Sequence, residues 1–262
     1  MNQTFNLNRF SNLFIKHTAD NYKTYLMAFS VLLGVLFLIM GFTAYVSGGQ
    51  IGERAQIPVF LFVLLLSGTI FTSIVFADLG NKKKAISILT LPASHFEKYL
   101  IGWLYSFVIF QLLFIPAFYL MVMLLNHLGS LYSTADDAQL LNLFDEEHKV
   151  YYVFYLYAVL HAICLWGSVF FEKHHFIKTA FCFFIGMFLL MFLNTQLMSL
   201  LLDDKKILSA VPFTQVDLLD ISGENYRVET PIEEYIYIGI IISVIVVILW
   251  ACSFYRLKEK EV

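Results

Sequence analysis

Six stretches of the chain contain no Asp, Glu, Lys or Arg, and each is long enough to cross a lipid bilayer. An α-helix rises about 1.5 Å per residue, so about 20 apolar residues span a hydrocarbon core of roughly 30 Å. The stretches are continuously apolar and lack the alternation typical of barrel strands. The sequence therefore predicts an all-α integral membrane fold with six transmembrane helices near residues 25–46, 57–77, 99–125, 150–171, 179–202 and 235–255.

The composition agrees with a membrane environment. Of the 262 residues, 59% are hydrophobic and 14% are charged, whereas soluble domains have about 25% charged residues. The net charge of −3 is too small to indicate a nucleic-acid partner. The three cysteines lie inside apolar runs and form no CxxC or Cys/His cluster, which favours buried apolar side chains over a metal or redox site.

The basic residues predict the orientation. With a cytoplasmic N-terminus, 12 of the 17 Lys and Arg residues fall in inside segments and 5 in outside segments. The positive-inside rule therefore favours both termini in the cytoplasm. Of the 20 acidic residues, 14 fall outside, mostly in the 126–149 and 203–234 loops.

Residues 1–24 are predicted to form an amphipathic helix ahead of the first span. Apolar and aromatic side chains recur there at helical spacing, at Leu7, Phe10, Leu13, Phe14 and His17. Polar side chains fill much of the remaining surface. Such a helix suits the headgroup region of the bilayer, and the alternative is a helix packed against the protein.

The loop 78–98 between the second and third spans is the most informative segment outside the membrane. Near its start it has three basic residues, Lys82, Lys83 and Lys84. They are followed by apolar side chains that need a partner to bury them, at Ile86, Leu89 and Leu91. Pro92 ends whatever precedes it, and Ser94 with Glu97 forms an S-x-x-E capping box that starts the next helix. We expect a short structured element here; the alternative is a basic loop that only sets orientation.

The segment 203–234 is too long for a turn. It contains Pro212, Gly223 and Pro231 and two short apolar stretches. We expect short helices that lie on the outer face.

Polar residues inside the spans are candidates for function because an unsatisfied polar group in lipid costs free energy. No span contains a charged residue, which argues against a proton pump, a carboxylate-relay antiporter and an intramembrane aspartyl protease. We single out Gly68, Thr72, Gln111, His161, Asn194 and Gln196 as pathway or interface candidates.

These candidates have different expected roles. Gly68 and Thr72 place small residues four apart, which lets helices or subunits approach closely. Gln111, Asn194 and Gln196 are expected to form interhelical hydrogen bonds. For His161 a packed histidine is favoured over a metal ligand.

Catalytic and nucleotide-binding motifs are absent from the sequence. It contains no GxxxxGK[S/T], GxSxG or GxGxxG motif and no zinc-site spacing. We therefore expect a chain that is not an enzyme, binds no cofactor itself and depends on a partner for any ATP hydrolysis.

The pattern resembles the ABC-2 type permease family. In that family an acidic residue and a glycine follow the second span, then an apolar stretch ends in Leu-Pro-x-Ser, and a glutamate leads into the third span. This chain has Asp78 and Gly80, then Ile86 to Leu89, then Leu91-Pro92-Ala93-Ser94, then Glu97. The 126–149 loop is larger and more acidic than is usual in the family.

The resemblance implies the membrane subunit of an ATP-driven exporter in a bacterial cytoplasmic membrane. It implies a separate ATPase subunit, a second permease copy in a homo- or heterodimer, and an amphiphilic or lipid-like cargo. Residues 82–91 with Pro92 would be the coupling helix, 1–24 the elbow helix and 203–234 an outer re-entrant region. The rival functions are a non-transporting scaffold or sensor and a lipid-modifying membrane enzyme.

Overall fold

A computed structural model describes residues 5–77, 86, 90–131, 139–202, 206–219, 225–229, 231 and 235–259. The described residues include six helices that are long and apolar enough to span a membrane, as the predicted helical membrane fold requires. They are α1 (Leu7–Val46), α2 (Glu53–Ile74), α3 (His95–Ser130), α4 (Tyr152–Phe170), α5 (His175–Leu201) and α6 (Tyr235–Glu259).

The first helix differs from the prediction. α1 is one continuous helix of 40 residues, about 60 Å long, and no helix end separates residues 7–24 from the first span. No proline or glycine occurs from Leu7 to Leu33 to interrupt the hydrogen-bond ladder. The Asn6 side chain caps the helix by accepting from the backbone N–H groups of Asn8 and Arg9. The predicted amphipathic segment is therefore an extension of the first span.

α3 begins where the capping box placed it. The Ser94 hydroxyl accepts from the Glu97 N–H at 3.2 Å, and the Glu97 carboxylate accepts from the Ser94 N–H at 2.9 Å. The helix then runs to Ser130, with a π-helical segment at Leu104–Ile109. It exceeds the predicted span 99–125 at both ends because polar residues continue the helix beyond its apolar part.

The core lies among α1, α2, α3 and α4. Phe60, Phe114 and Phe118 are fully buried, and their rings contact one another in tilted, edge-to-face and stacked pairs. Gly68 faces Tyr157 of α4 so closely that a Cβ would overlap the tyrosine ring. The small-residue face of α2 is thus an internal contact within the chain.

The segment between α5 and α6 forms a sheet, so the prediction of short helices is wrong over its described part. β1 (Lys206–Val211), β2 (Gln215–Leu219) and β3 (Asn225–Glu229) form an antiparallel sheet in the order β1-β2-β3. The fold is otherwise helical over the described residues, which is consistent with the predicted all-α membrane class. The sheet is amphipathic, with Ala210, Val216 and Val228 in register across one face.

The other face of the sheet carries a charged ladder. Asp217 accepts from the Ser209 hydroxyl at 2.6 Å and from the Arg227 guanidinium at 2.7 Å, across both strand pairs. These two donors hold the pKa of Asp217 below its usual range. Alternating apolar and polar residues favour a strand over a helix, since neighbouring side chains point to opposite faces.

The sheet packs against the C-terminal part of α5. The Asn194 amide donates to the Ala210 carbonyl at 3.1 Å, and Ala210 and Leu218 are buried. α5 has 27 residues, about 40 Å, which exceeds a hydrocarbon core of about 30 Å. The excess length accommodates the sheet beside the helix.

We predict that Gly68→Val destabilises the fold, since the added side chain meets the rings of Tyr157 and Phe110. Overpacking of this kind costs about 1–3 kcal/mol. Gly34→Val in α1 is the matched control, because open space surrounds its Cβ position. Reversible unfolding in mixed micelles measures both variants, and equal stabilities would contradict the packing described here.

Candidate functional site

The predicted coupling loop is described in part. Lys82, Lys83, Lys84 and Leu89 lie outside the described residues. Ile86 is 44% exposed, and its carbonyl accepts from both the N–H (2.9 Å) and the hydroxyl (2.7 Å) of Thr90. This bond spacing of four residues is that of a helical turn.

The chain after this turn is a tight bend. The Ala93 N–H donates to the Leu91 carbonyl at 2.7 Å, across Pro92. Pro92 is exposed, Leu91 is half-buried and Ala93 is buried. The bend joins the helical turn at residue 90 to the capped start of α3, so the predicted structured element ends at the predicted proline.

The Glu97 carboxylate joins three segments of the chain, and we call this arrangement the Glu97 clamp. Its Oε1 accepts from the Asn6 N–H at 2.9 Å and from Arg9 Nη2 at 2.7 Å. Its Oε2 accepts from Arg9 Nε at 2.7 Å and from the Ser94 N–H at 2.9 Å. The Glu97 side chain is fully buried and that of Arg9 is 27% exposed.

This clamp fixes the start of α1 to the start of α3. Two parallel bonds between a guanidinium and a carboxylate set both the distance and the orientation of the groups. The sequence assigned Glu97 only to the capping box and Arg9 only to the polar face of the N-terminal helix. Their 88-residue separation leaves no local pattern to connect them.

A groove of about 450 Å³ lies beside the clamp. The first turns of α1 line one side and residues 91–93 line the other. The α1 side presents amide and basic groups together with one leucine, at Asn6, Asn8, Arg9, Asn12, Leu13 and Lys16. This mixed surface combines hydrogen-bonding capacity and positive charge with exposed Pro92 and half-buried Leu91.

A second polar arrangement lies in the middle of the helix bundle, and we call it the buried polar network. His161 of α4 is fully buried, and Trp250 Nε1 donates to its Nδ1 at 3.2 Å. An indole nitrogen only donates, so Nδ1 of the neutral ring is the acceptor and Nε2 carries the proton. Nε2 then donates to the Ser106 hydroxyl at 2.9 Å, which donates to the Gly102 carbonyl at 2.8 Å.

The network coincides with the π-helical segment of α3. The Phe110 N–H donates to the Tyr105 carbonyl, five residues back. The Ser106 carbonyl, which an α-helix would pair with that N–H, accepts from the Tyr157 hydroxyl at 2.6 Å. His161 is therefore a packed histidine with both ring nitrogens bonded, joining α3, α4 and α6.

The other predicted pathway or interface residues are scattered. Gly68 and Thr72 are buried inside the chain, and Asn194 binds the outer sheet. Gln196 is exposed near the C-terminal end of α5. The buried Nε2 of Gln111 has no hydrogen-bond partner among the described residues.

One group of metal-ligand type occurs among the described residues, at Asp145, Glu147 and His148, with ligand atoms within 4.8 Å of one another. The Asp145 carboxylate bonds both the ring Nδ1 (2.8 Å) and the N–H (3.2 Å) of His148. The bonds from His148 hold the pKa of Asp145 below its usual range. A hydrogen-bonded turn of this kind accounts for the proximity of the three side chains.

Comparison with known proteins returns no match, whether to a protein-family model, a curated protein or a solved structure.

We predict that Arg9→Ala frees the start of α1 from α3. The substitution leaves the Glu97 carboxylate buried with half of its donors, which costs about 2–3 kcal/mol, toward the low end for a buried pair because Arg9 is partly exposed. Amide hydrogen exchange of peptides from residues 5–20 should accelerate at least tenfold.

Lys16→Ala is the control for this prediction. Lys16 pairs with Asp20 at 3.5 Å, and both side chains are largely exposed, so the loss is within about 0.5 kcal/mol. Similar exchange in the Arg9 and Lys16 variants would show that the clamp does not hold the two helices together.

Proposed function

We propose that this chain is the membrane-spanning permease subunit of an ABC-2 type exporter that works with a separate ATPase subunit. The observation that carries the proposal is the Glu97 clamp, which ties an exposed loop on the predicted cytoplasmic side rigidly to two transmembrane helices. Such a connection suits a chain that receives mechanical work from a partner, and the sequence contains no nucleotide-binding motif of its own.

The partner surface is the loop together with the groove beside it. Ile86 is exposed although it is apolar, and Pro92 forms the exposed tip of the bend. Exposed apolar side chains outside the membrane are typical of protein contacts. The neighbouring Lys16 and Arg9 add positive charge that suits an acidic rim on the ATPase.

The transmission path follows the covalent and hydrogen-bonded connections. A displacement of residues 86–93 acts on Ser94 and Glu97, and through Arg9 on α1. Because helices are stiff over a few turns, both α1 and α3 move with the loop at their cytoplasmic ends. In this proposal their movement opens a route for an amphiphilic or lipid-like cargo at the contact with a second permease copy.

The orientation can be tested by thiol labelling in intact cells or sealed vesicles. We predict that Ser11→Cys reacts with a membrane-impermeant maleimide only from the cytoplasmic side, and Phe144→Cys only from the opposite side. Both positions are exposed, and the wild-type chain with its three native cysteines supplies the background. Labelling of Ser11→Cys from outside would overturn the proposed function.

The partner can be tested by co-purification of the tagged permease from its native cells, with detection of a P-loop ATPase. We predict that the double change Ile86→Asp and Leu89→Asp reduces the recovered ATPase at least tenfold, because two carboxylates replace apolar contacts. ATP-dependent cargo movement in vesicles should fall in parallel.

Phe144→Asp is the matched control. It replaces an exposed apolar residue with the same carboxylate on the predicted outer side, so ATPase recovery should equal that of the wild type. A doubly substituted loop that still assembles and transports would exclude residues 86–91 as the docking element. A wild-type chain with no ATPase partner would favour a scaffold or sensor.

A further inference from the structure

α3 changes its hydrogen-bond register within the membrane. Residues His95–Trp103 and Phe110–Ser130 are α-helical, and Leu104–Ile109 between them is π-helical. A short π segment holds one residue more than the α-helix it interrupts, and such segments often occur at functional sites. No proline or glycine occurs within Leu104–Ile109, so the side-chain contacts of the segment explain its register.

One of these contacts, the hydrogen bond from Tyr157, is made to a backbone carbonyl of the segment itself. The Tyr157 hydroxyl donates to the Ser106 carbonyl at 2.6 Å, and Tyr157 is fully buried between α2 and α3. This carbonyl is the acceptor that Phe110 N–H would use in the α register. Tyr157 therefore stabilises the π register by supplying a donor to the Ser106 carbonyl, which in that register has lost its bond from the Phe110 N–H.

Further bonds join the segment directly to α1 and α4, and through His161 to α6. Tyr105 bonds Thr18 of α1 at 2.5 Å through its hydroxyl, and Ser106 bonds His161 of α4 at 2.9 Å. The indole N–H of Trp250 in α6 donates to that histidine, and the backbone carbonyl of Trp250 accepts from the Tyr99 hydroxyl at 2.9 Å. The register of α3 is thus coupled to the positions of α1, α4 and α6.

We infer that Leu104–Ile109 is a register joint in α3 and that the Tyr157 hydroxyl is its lock. When the lock opens, Phe110 N–H returns to the Ser106 carbonyl and the segment becomes α-helical. Release of one residue turns the cytoplasmic part of α3 by about 100° and advances it by about 1.5 Å relative to the outer part. The turning part is His95–Trp103, which carries Glu97, so this turn also requires the bonds from Asn6 and Arg9 to the Glu97 carboxylate to break.

The joint has a moving side and a fixed side. The outer part begins at Phe110, which stacks on the Tyr157 ring and faces Gly68, and it continues into the main core. The cytoplasmic part packs in a separate, smaller cluster with Phe76, Leu165 and Leu257. Two clusters that meet at the π segment allow one part to turn without unpacking the other.

Hydrogen–deuterium exchange of the full-length chain in nanodiscs tests the lock. Tyr157→Phe keeps the ring and removes only the hydroxyl, so amide exchange in peptides covering 104–110 should rise about five- to tenfold. Tyr155→Phe is the matched control, because Tyr155 lies on the same helix and donates at 2.6 Å to the Gly239 carbonyl of α6. Unchanged exchange in Tyr157→Phe, or an equal rise in both variants, would overturn the inference.

A deletion tests the joint independently of that substitution. Removing Val108 takes out one residue of the π segment and should give a folded chain with a continuous α3. Removing Leu120 from the regular part should misfold the chain, because every residue after it rotates by about 100°. In the Val108-deleted chain, Tyr157→Phe should no longer change the exchange of this segment; a Val108 deletion as damaging as the Leu120 deletion would overturn the joint.

Both readouts are independent of cargo, nucleotide and partner. If the chain has no ATPase partner but passes these tests, the register joint is supported and the proposed transport function is excluded. If the chain transports cargo but fails these tests, the proposed function is supported and the joint is excluded.

Discussion

The buried carboxylate of Glu97 determines the arrangement of the end of the bundle where α1 and α3 begin. An ionised carboxylate removed from water costs several kcal/mol unless hydrogen bonds and an opposite charge replace its hydration. The backbone of Asn6, the backbone of Ser94 and the guanidinium of Arg9 supply four such bonds. Because all four are needed at once, the start of α1, the bend before Ser94 and the first turn of α3 are fixed relative to one another.

The membrane part of the fold was predictable because the bilayer restricts the choice. A long apolar run in lipid must satisfy its own backbone, which leaves a helix as the solution. Outside the bilayer this restriction is absent, and a short, mostly apolar stretch such as Ile207–Val211 suits a helix or a strand equally. The strands were missed because they depend on cross-strand partners such as Asp217 and Arg227, which lie ten residues apart.

The same distinction applies to the candidate site. The Ser94–Glu97 capping box was predictable because its two residues are three apart and share one helical turn. The bonds from Arg9 to Glu97 and from Trp250 to His161 span 88 and 89 residues. They depend on how each helix is rotated about its axis, which six almost uniformly apolar spans do not encode locally. The π segment was missed for the same reason, since its register depends on Tyr157 of another helix.

The Glu97 clamp and the π segment together determine how far a displacement of the loop is transmitted along α3. His95–Trp103 has nine residues, about 13 Å of rigid helix, between Glu97's end of α3 and the segment. A continuous α-helix would carry a rotation applied at Glu97 along all 36 residues of α3 to its C-terminal end. The proposed register joint takes up that rotation at Leu104–Ile109 whenever its lock is open. The hydroxyl of Tyr157, although far from the loop, would then set whether the part of α3 after Ile109 follows the part before Leu104.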